Sequence, residues 1–204
     1  KIERTMKKWF SSILCFQLVI RAATFIHVTT VPPLLDVPTY SIATLNQDGS
    51  TNMNILTYAT PVGVEPHRVW ALGLFKGTLS HENFIRTKQC ILQLLAEDHI
   101  PVIRILGGKS GRDVSKYAEC SKLSLEWQQY DGADMKLLPR CVYYIKLSST
   151  GDIIDVGNHD VALCRVEEML TPEDTGINSN YLSTARLREL GIINEKGRII
   201  ATEA

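Results

Sequence analysis

Between Tyr40 and Glu167 the chain is cut into short apolar runs by turn signals, with no regular alternation of strand-like and helix-like segments. Tyr40–Leu45 and Asn52–Thr57 read as strands, and Asn46-Gln47-Asp48-Gly49 between them ends in the Asp-Gly pair of a tight hairpin. Val69–Phe75 is almost wholly apolar, which predicts a strand buried on both sides, with Gly73 letting another group approach its backbone. Cys90–Leu95, Cys141–Ser148, Ile153–Val156 and Val161–Glu167 complete the set, with Gly151-Asp152 and Gly157-Asn158 at turns. Helical patterns are few and short: Ser80–Lys88, His99–Leu106 with Pro101 in its first turn and Gly107-Gly108 at its end, and Tyr181–Leu190 stopped by Gly191. The stretch from Ser110 to Met135 is polar and mixed and carries no clear period. Six or seven short strands with two or three small helices predict a mainly β protein, an antiparallel barrel with minor α rather than a doubly wound sheet.

At 204 residues the chain has the length of one ordinary domain. Its divisions are expected at 1–38, an N-terminal extension with a Pro-rich connector; 39–170, the barrel; and 171–204, a tail with a short helix. Lys1, Arg4, Lys7 and Lys8 precede a mainly apolar run to Ile20, and Arg21-Ala22-Ala23 follows. That order is equally consistent with a targeting leader and with an ordinary helix, so the compartment is read as cytoplasmic, or as plastid or mitochondrial if residues 1–30 are a leader. The apolar run is too short and interrupted for membrane insertion. The 22 basic and 22 acidic residues cancel, which argues against a nucleic-acid binder with a broad basic face. Five cysteines, at 15, 90, 120, 141 and 164, include no Cys-x-x-Cys pair and read as reduced, packed thiols. The histidines show no metal-ligand spacing, no Gly-x-Ser-x-Gly elbow is present, and no Gly-x-Gly-x-x-Gly cradle occurs. Gly107-Gly108-Lys109-Ser110-Gly111 lacks the earlier glycine of a phosphate loop, Ile103 standing there.

The chemistry concentrates between Asn54 and Glu82. Thr57, Tyr58, Ala59 and Thr60 begin a loop whose threonines, alanine and later Gly63 leave the backbone open to a planar ring, with Tyr58 placed to cover it or to pack. After the apolar strand, Lys76 offers a positive charge and Thr78 and Ser80 offer hydroxyls at a helix start, a setting for a phosphate; the same three residues also read as a solvated strand end and a helix cap. This order suits a phosphorylated aromatic cofactor. Arg104, Lys109 and Arg112 could meet a nicotinamide nucleotide's phosphates, or simply form a solvated helix face.

The same stretch resembles the flavin reductase-like family of FMN-binding split barrels. The carriers are Thr57-Tyr58-Ala59-Thr60-Pro61-Val62-Gly63-Val64-Glu65-Pro66-His67, the run from Cys90 to His99, and Gly157-Asn158-His159, which is similar to the family's Gly-Asp-His motif. Pro61 and Gly63 stand where the family places serines, and His67 where it places a second proline. The resemblance implies FMN as cofactor, NADH or NADPH as electron donor, and hydride transfer from nicotinamide C4 to flavin N5. It also implies a homodimer and a possible partner oxygenase or other acceptor. No acid or base side chain is needed for that chemistry, so no catalytic residue is expected, His159 being a possible nicotinamide contact or a structural hydrogen-bonder. Two alternatives stay open: a binding module that holds flavin without turnover, and a related split-barrel enzyme using another donor.

Overall fold

The computed structural model describes residues 35–132, 134–172 and 180–201. The expected leader and most of the expected N-terminal extension lie outside the described residues, as do the compartment reading that depends on them and Cys15. The chain runs through β1 (Tyr40–Leu45), β2 (Thr51–Leu56), β3 (Ala59–Gly63), β4 (Val69–Phe75), α1 (Leu79–Thr87) and β5 (Gln89–Leu94). A 3-10 turn over Glu97–Val102 leads directly into α2 (Ile103–Gly108), followed by α3 (Lys116–Ser121) and the two-residue strands β6 (Gln128–Gln129) and β7 (Lys136–Leu137). Two long strands, β8 (Tyr143–Asp155) and β9 (His159–Leu170), precede α4 (Thr184–Glu189). Seven strands form one antiparallel sheet in the order β2-β1-β5-β8-β9-β4-β3.

The hairpin β1–β2 forms as its turn predicts. Gly49 takes φ +81°, and the Asp48 carboxylate accepts from the Ser50 N–H at 2.9 Å and its hydroxyl at 2.6 Å. Successive residues of the central strands then point into two different cores. On one side Tyr40, Ile42, Leu92 and Leu94 meet Trp70, Leu72, Leu74, Phe84 and Ile145 in the sheet's interior. On the other, Ala43 and Ile91 pack with Leu106 of α2, Cys120 of α3 and Leu187 of α4. The segment expected as a tail is therefore built in: Leu182, Leu187, Ile192 and Ile193 are buried, and Pro38 bridges to Ser183 and Ala96 to Tyr181.

Three expectations need correction. β4 is buried on one face only: Trp70, Leu72 and Leu74 are buried while Val69, Ala71 and Gly73 remain half-exposed, because the opposite face borders a cleft. Gly151-Asp152 is not a hairpin turn. The strands expected on either side of it are one strand, β8, and the register against β9 shifts between Ser149 and Ile153, with Gly151 at φ +112° taking the strain of the bulge. The 110–135 stretch, read as polar and mixed with no element assigned, contains α3, capped by the Ser115 hydroxyl accepting from Ala118 N–H at 3.3 Å, and it contributes Leu125, Trp127 and Met135 to the second core. Cys90, Cys120, Cys141 and Cys164 are free and buried, as the sequence suggested.

Candidate functional site: an apolar cleft beside a charged turn

A cleft of about 580 Å³ opens against β3 and β4, a volume within the range of small-molecule sites. Its floor is the face of β4 that carries Ala71 and Gly73, together with Val161 of β9. The strand β3 borders it through Ala59, Thr60 and Pro61, and Thr57 and Tyr58 lie just before that strand. Pro61 is tolerated because β3 is an edge strand, and the residue after it forms a bulge that shifts the register before Gly63. Gly73 is decisive for the shape: a Cβ on it would lie 2.9 Å from the Tyr58 Cβ, so its absence lets Tyr58 cross β4 closely, and the Gly73 N–H donates to the Tyr58 carbonyl at 2.8 Å. The approach inferred at Gly73 is thus made by Tyr58. The Tyr58 ring, 62% exposed, leans on His159 with centroids 5.4 Å apart, and Phe75 flanks His159 from 5.2 Å. Tyr40, buried at the inner end, stacks edge-on to Trp70, and burial pushes its hydroxyl pKa up, keeping it neutral.

From His159 the site continues into charge. His159 pairs in register with Phe75, and the next residue, Lys76, donates its N–H to the Asn158 carbonyl at 3.0 Å. The Lys76 ammonium sits 2.7 Å from Asp155 and 3.2 Å from Asp160. Asp160 also accepts from His81 Nε2 at 2.7 Å. These contacts hold the Lys76 pKa above its ordinary value, chiefly through Asp155; Lys76 draws Asp155 down, and His81 and then Lys76 draw Asp160 down. Thr78 is the N-cap of α1, accepting from His81 N–H at 3.2 Å and donating to the Phe75 carbonyl at 2.9 Å. Ser80 is buried and accepts from the Asn52 amide at 2.8 Å, so its hydroxyl faces the interior rather than a ligand. Arg112 reaches the same turn, donating to the Gly77 carbonyl at 3.0 Å and to Glu82 at 2.5 Å.

The structure therefore brings Thr57, Tyr58, Ala59, Thr60 and His159 together around one cleft, with Lys76 and Thr78 at the turn beyond its His159 end. Ser80 is not part of that surface. Sequence reasoning missed Asp155, Asp160 and His81. The signal for Asp160 was its place beside His159, but its partner His81 is 79 residues away in the chain. Among the described residues no cluster of histidine, cysteine and carboxylate side chains could hold a metal.

The family model described as flavin reductase like domain matches residues 25–189, well over half of the chain. The chain belongs to that family. Solved structures agree on the fold of this flavin reductase-like protein. One is a Sinorhizobium meliloti protein described as an oxidoreductase: 15% identity, TM-score 0.60, with 74% of this chain aligned over 47% of that one, so the chain spans about half its length. An NADH:FAD oxidoreductase of Streptomyces globisporus C-1027, solved with NAD and FAD fragments, aligns at 11% identity and TM-score 0.61, covering 73% of this chain and 81% of its own. An FMN-binding protein of Thermus thermophilus gives 14% identity and TM-score 0.59 over 87% and 86% of the two chains. No curated protein sequence matches. The seven-stranded antiparallel sheet with few short helices is thus the flavin reductase-like barrel fold that the sequence implied.

Proposed function

We propose that this flavin reductase-like protein binds FMN in the cleft and passes hydride to it from NADH or NADPH. The observation that carries the proposal is continuity: a flat floor at Ala71 and Gly73, aromatic rings of Tyr58 and His159 at one end, and directly beyond them the Lys76-Gly77-Thr78 turn at the start of α1. The small side chains of Ala59, Thr60 and Ala71 fit a planar ring system lying against backbone, with Tyr58 seated over Gly73 as its border. The turn fits a phosphate through the Lys76 ammonium and the first N–H groups of α1, with Thr78 shaping the turn as the cap that donates to the Phe75 carbonyl and accepts from His81 N–H. When bound, the flavin would supply the hydride-accepting chemistry. The chain's own work is then to orient the ring against β4, to exclude water with Tyr58 and Tyr40, and to present His159 to the nicotinamide.

A homodimer is the proposed assembly. Tyr58 and Val156 at the cleft, and Val62, Val64, Phe75 and Ile154 on segments adjoining its lining in the chain or the sheet, are large apolar side chains that stay exposed, the kind of surface a second protomer would cover. The reduced flavin would then serve a partner oxygenase or another acceptor. No described helix is long and apolar enough to cross a membrane.

Binding without turnover is the second reading. It draws on Pro61 and Gly63, which bring neither a hydroxyl nor, at Pro61, an N–H to the ring. One titration separates the two. Purified protein is mixed with FMN and then with NADH or NADPH under anaerobic conditions while the flavin absorbance is followed. Perturbation of the flavin band followed by its bleaching is the expected result. A bound but unbleached flavin would favour the binding module or another donor, and an unperturbed spectrum would overturn the flavin reading.

A further inference from the structure

The phosphate end of the cleft holds an internal competitor. Lys76 is the cation a phosphate would use, and it is already paired with two carboxylates. The two pairs differ in kind. Asp160 is 14% exposed, and one of its oxygens is fixed by His81 while the other faces Lys76. Asp155 is 74% exposed at the end of β8, one oxygen accepting from the Gly157 N–H at 2.8 Å and the other facing Lys76 at 2.7 Å. A phosphate of charge near −2 approaching Lys76 would meet both carboxylates at close range, where like charges repel. Arg112, the other cation at the turn, is engaged by Glu82. Asp155, exposed and held by one backbone N–H, is the partner that can leave.

We infer that Asp155 competes with the flavin phosphate for Lys76 and so limits how tightly a phosphorylated flavin is held, making FMN an exchanging ligand rather than a locked one. The inference rests on the FMN reading of the cleft. On binding, Lys76 trades its contact with Asp155 for the phosphate while keeping Asp160, and on release the Lys76–Asp155 pair re-forms. The exchange is reversible and involves no covalent change.

The test compares FMN with riboflavin, which lacks the phosphate, by fluorescence titration of the wild-type protein, Asp155→Asn, Lys76→Ala and the double variant. Asparagine keeps the oxygen that accepts from Gly157 and removes only the charge. An exposed ion pair is worth little, so Asp155→Asn should tighten FMN by about two- to five-fold. Riboflavin affinity should stay unchanged, and the gain should vanish in the Lys76→Ala background. If Lys76→Ala weakens FMN selectively but Asp155→Asn fails to tighten it, or tightens riboflavin equally, the competitor role is overturned while the phosphate assignment stands. If Lys76→Ala affects both flavins alike, the phosphate assignment itself falls and the competitor role with it.

Discussion

Gly73 does at the scale of one residue what no side chain could. Its missing Cβ lets the Tyr58 backbone and ring lie across β4, which fixes one wall of the cleft. Gly73→Ala should force Tyr58 outward, because the new methyl would sit against a Cβ rather than against the movable end of a side chain. The expected cost is about 1–3 kcal/mol of stability, as for other overpacked sites, together with weakened FMN and riboflavin binding to the same degree. Chemical denaturation and the two flavin titrations check it; riboflavin binding left intact would show that Tyr58 does not border the ring. At this scale the sequence was partly legible. Gly73 in an apolar strand announced a close approach, and the small residues of Thr57–Thr60 announced an open stretch of backbone, which lines the cleft, because small residues and glycine declare themselves locally. Ser80 misled for the opposite reason. A hydroxyl at a helix start reads as a ligand, and only the long-range partner Asn52 shows that it is used inside.

Among the elements, the short helix α3 is held by a buried lysine. Lys116 is 5% exposed, and its Nζ donates to the Met53 carbonyl of β2 at 2.8 Å and the Leu106 carbonyl of α2 at 2.6 Å, joining three elements at one atom. Burial brings its pKa down to about 8. The folded state therefore disfavours the proton that the unfolded chain keeps up to its ordinary range, and stability should rise with pH from about 8 to about 10.5 as this penalty is relieved. The shift corresponds to roughly 3 kcal/mol across that window. Lys116→Met keeps the stem and removes the titration, so the stability difference between wild type and variant should move in the wild type's favour as pH climbs through that range. A difference that stays flat would show that the amine is charged and solvated in the folded protein. Nothing local marked α3 or its lysine, whose acceptors are main-chain carbonyls 63 and 10 residues away. Turns with Asp-Gly or Asn signals were legible, since their φ demands are local. The bulge at Gly151 was not, since a glycine at positive φ serves a turn and a bulge alike and only the partner strand decides.

At the scale of the molecule, the antiparallel barrel was readable from punctuation alone, but its second core was not. That core is assembled from α2, α3, the 125–138 stretch and the chain after Leu182, and although two of its helices were legible one by one, nothing local shows that pieces so far apart in the chain pack together. The sheet is what joins the two cores: neighbouring residues Ile42 and Ala43, and Ile91 and Leu92, face opposite ones. Each core also encloses two free thiols, Cys90 and Cys164 in one and Cys120 and Cys141 in the other. This gives the protein a built-in clock for its own opening. In a chain with Cys15 replaced by serine, a thiol-labelling reagent can reach these four sulfurs only when the core around them parts. Because β1 and β5 are shared walls, the four should react at one common rate. Two rates, split Cys90 and Cys164 against Cys120 and Cys141, would mean that the helical side opens while the barrel stays shut.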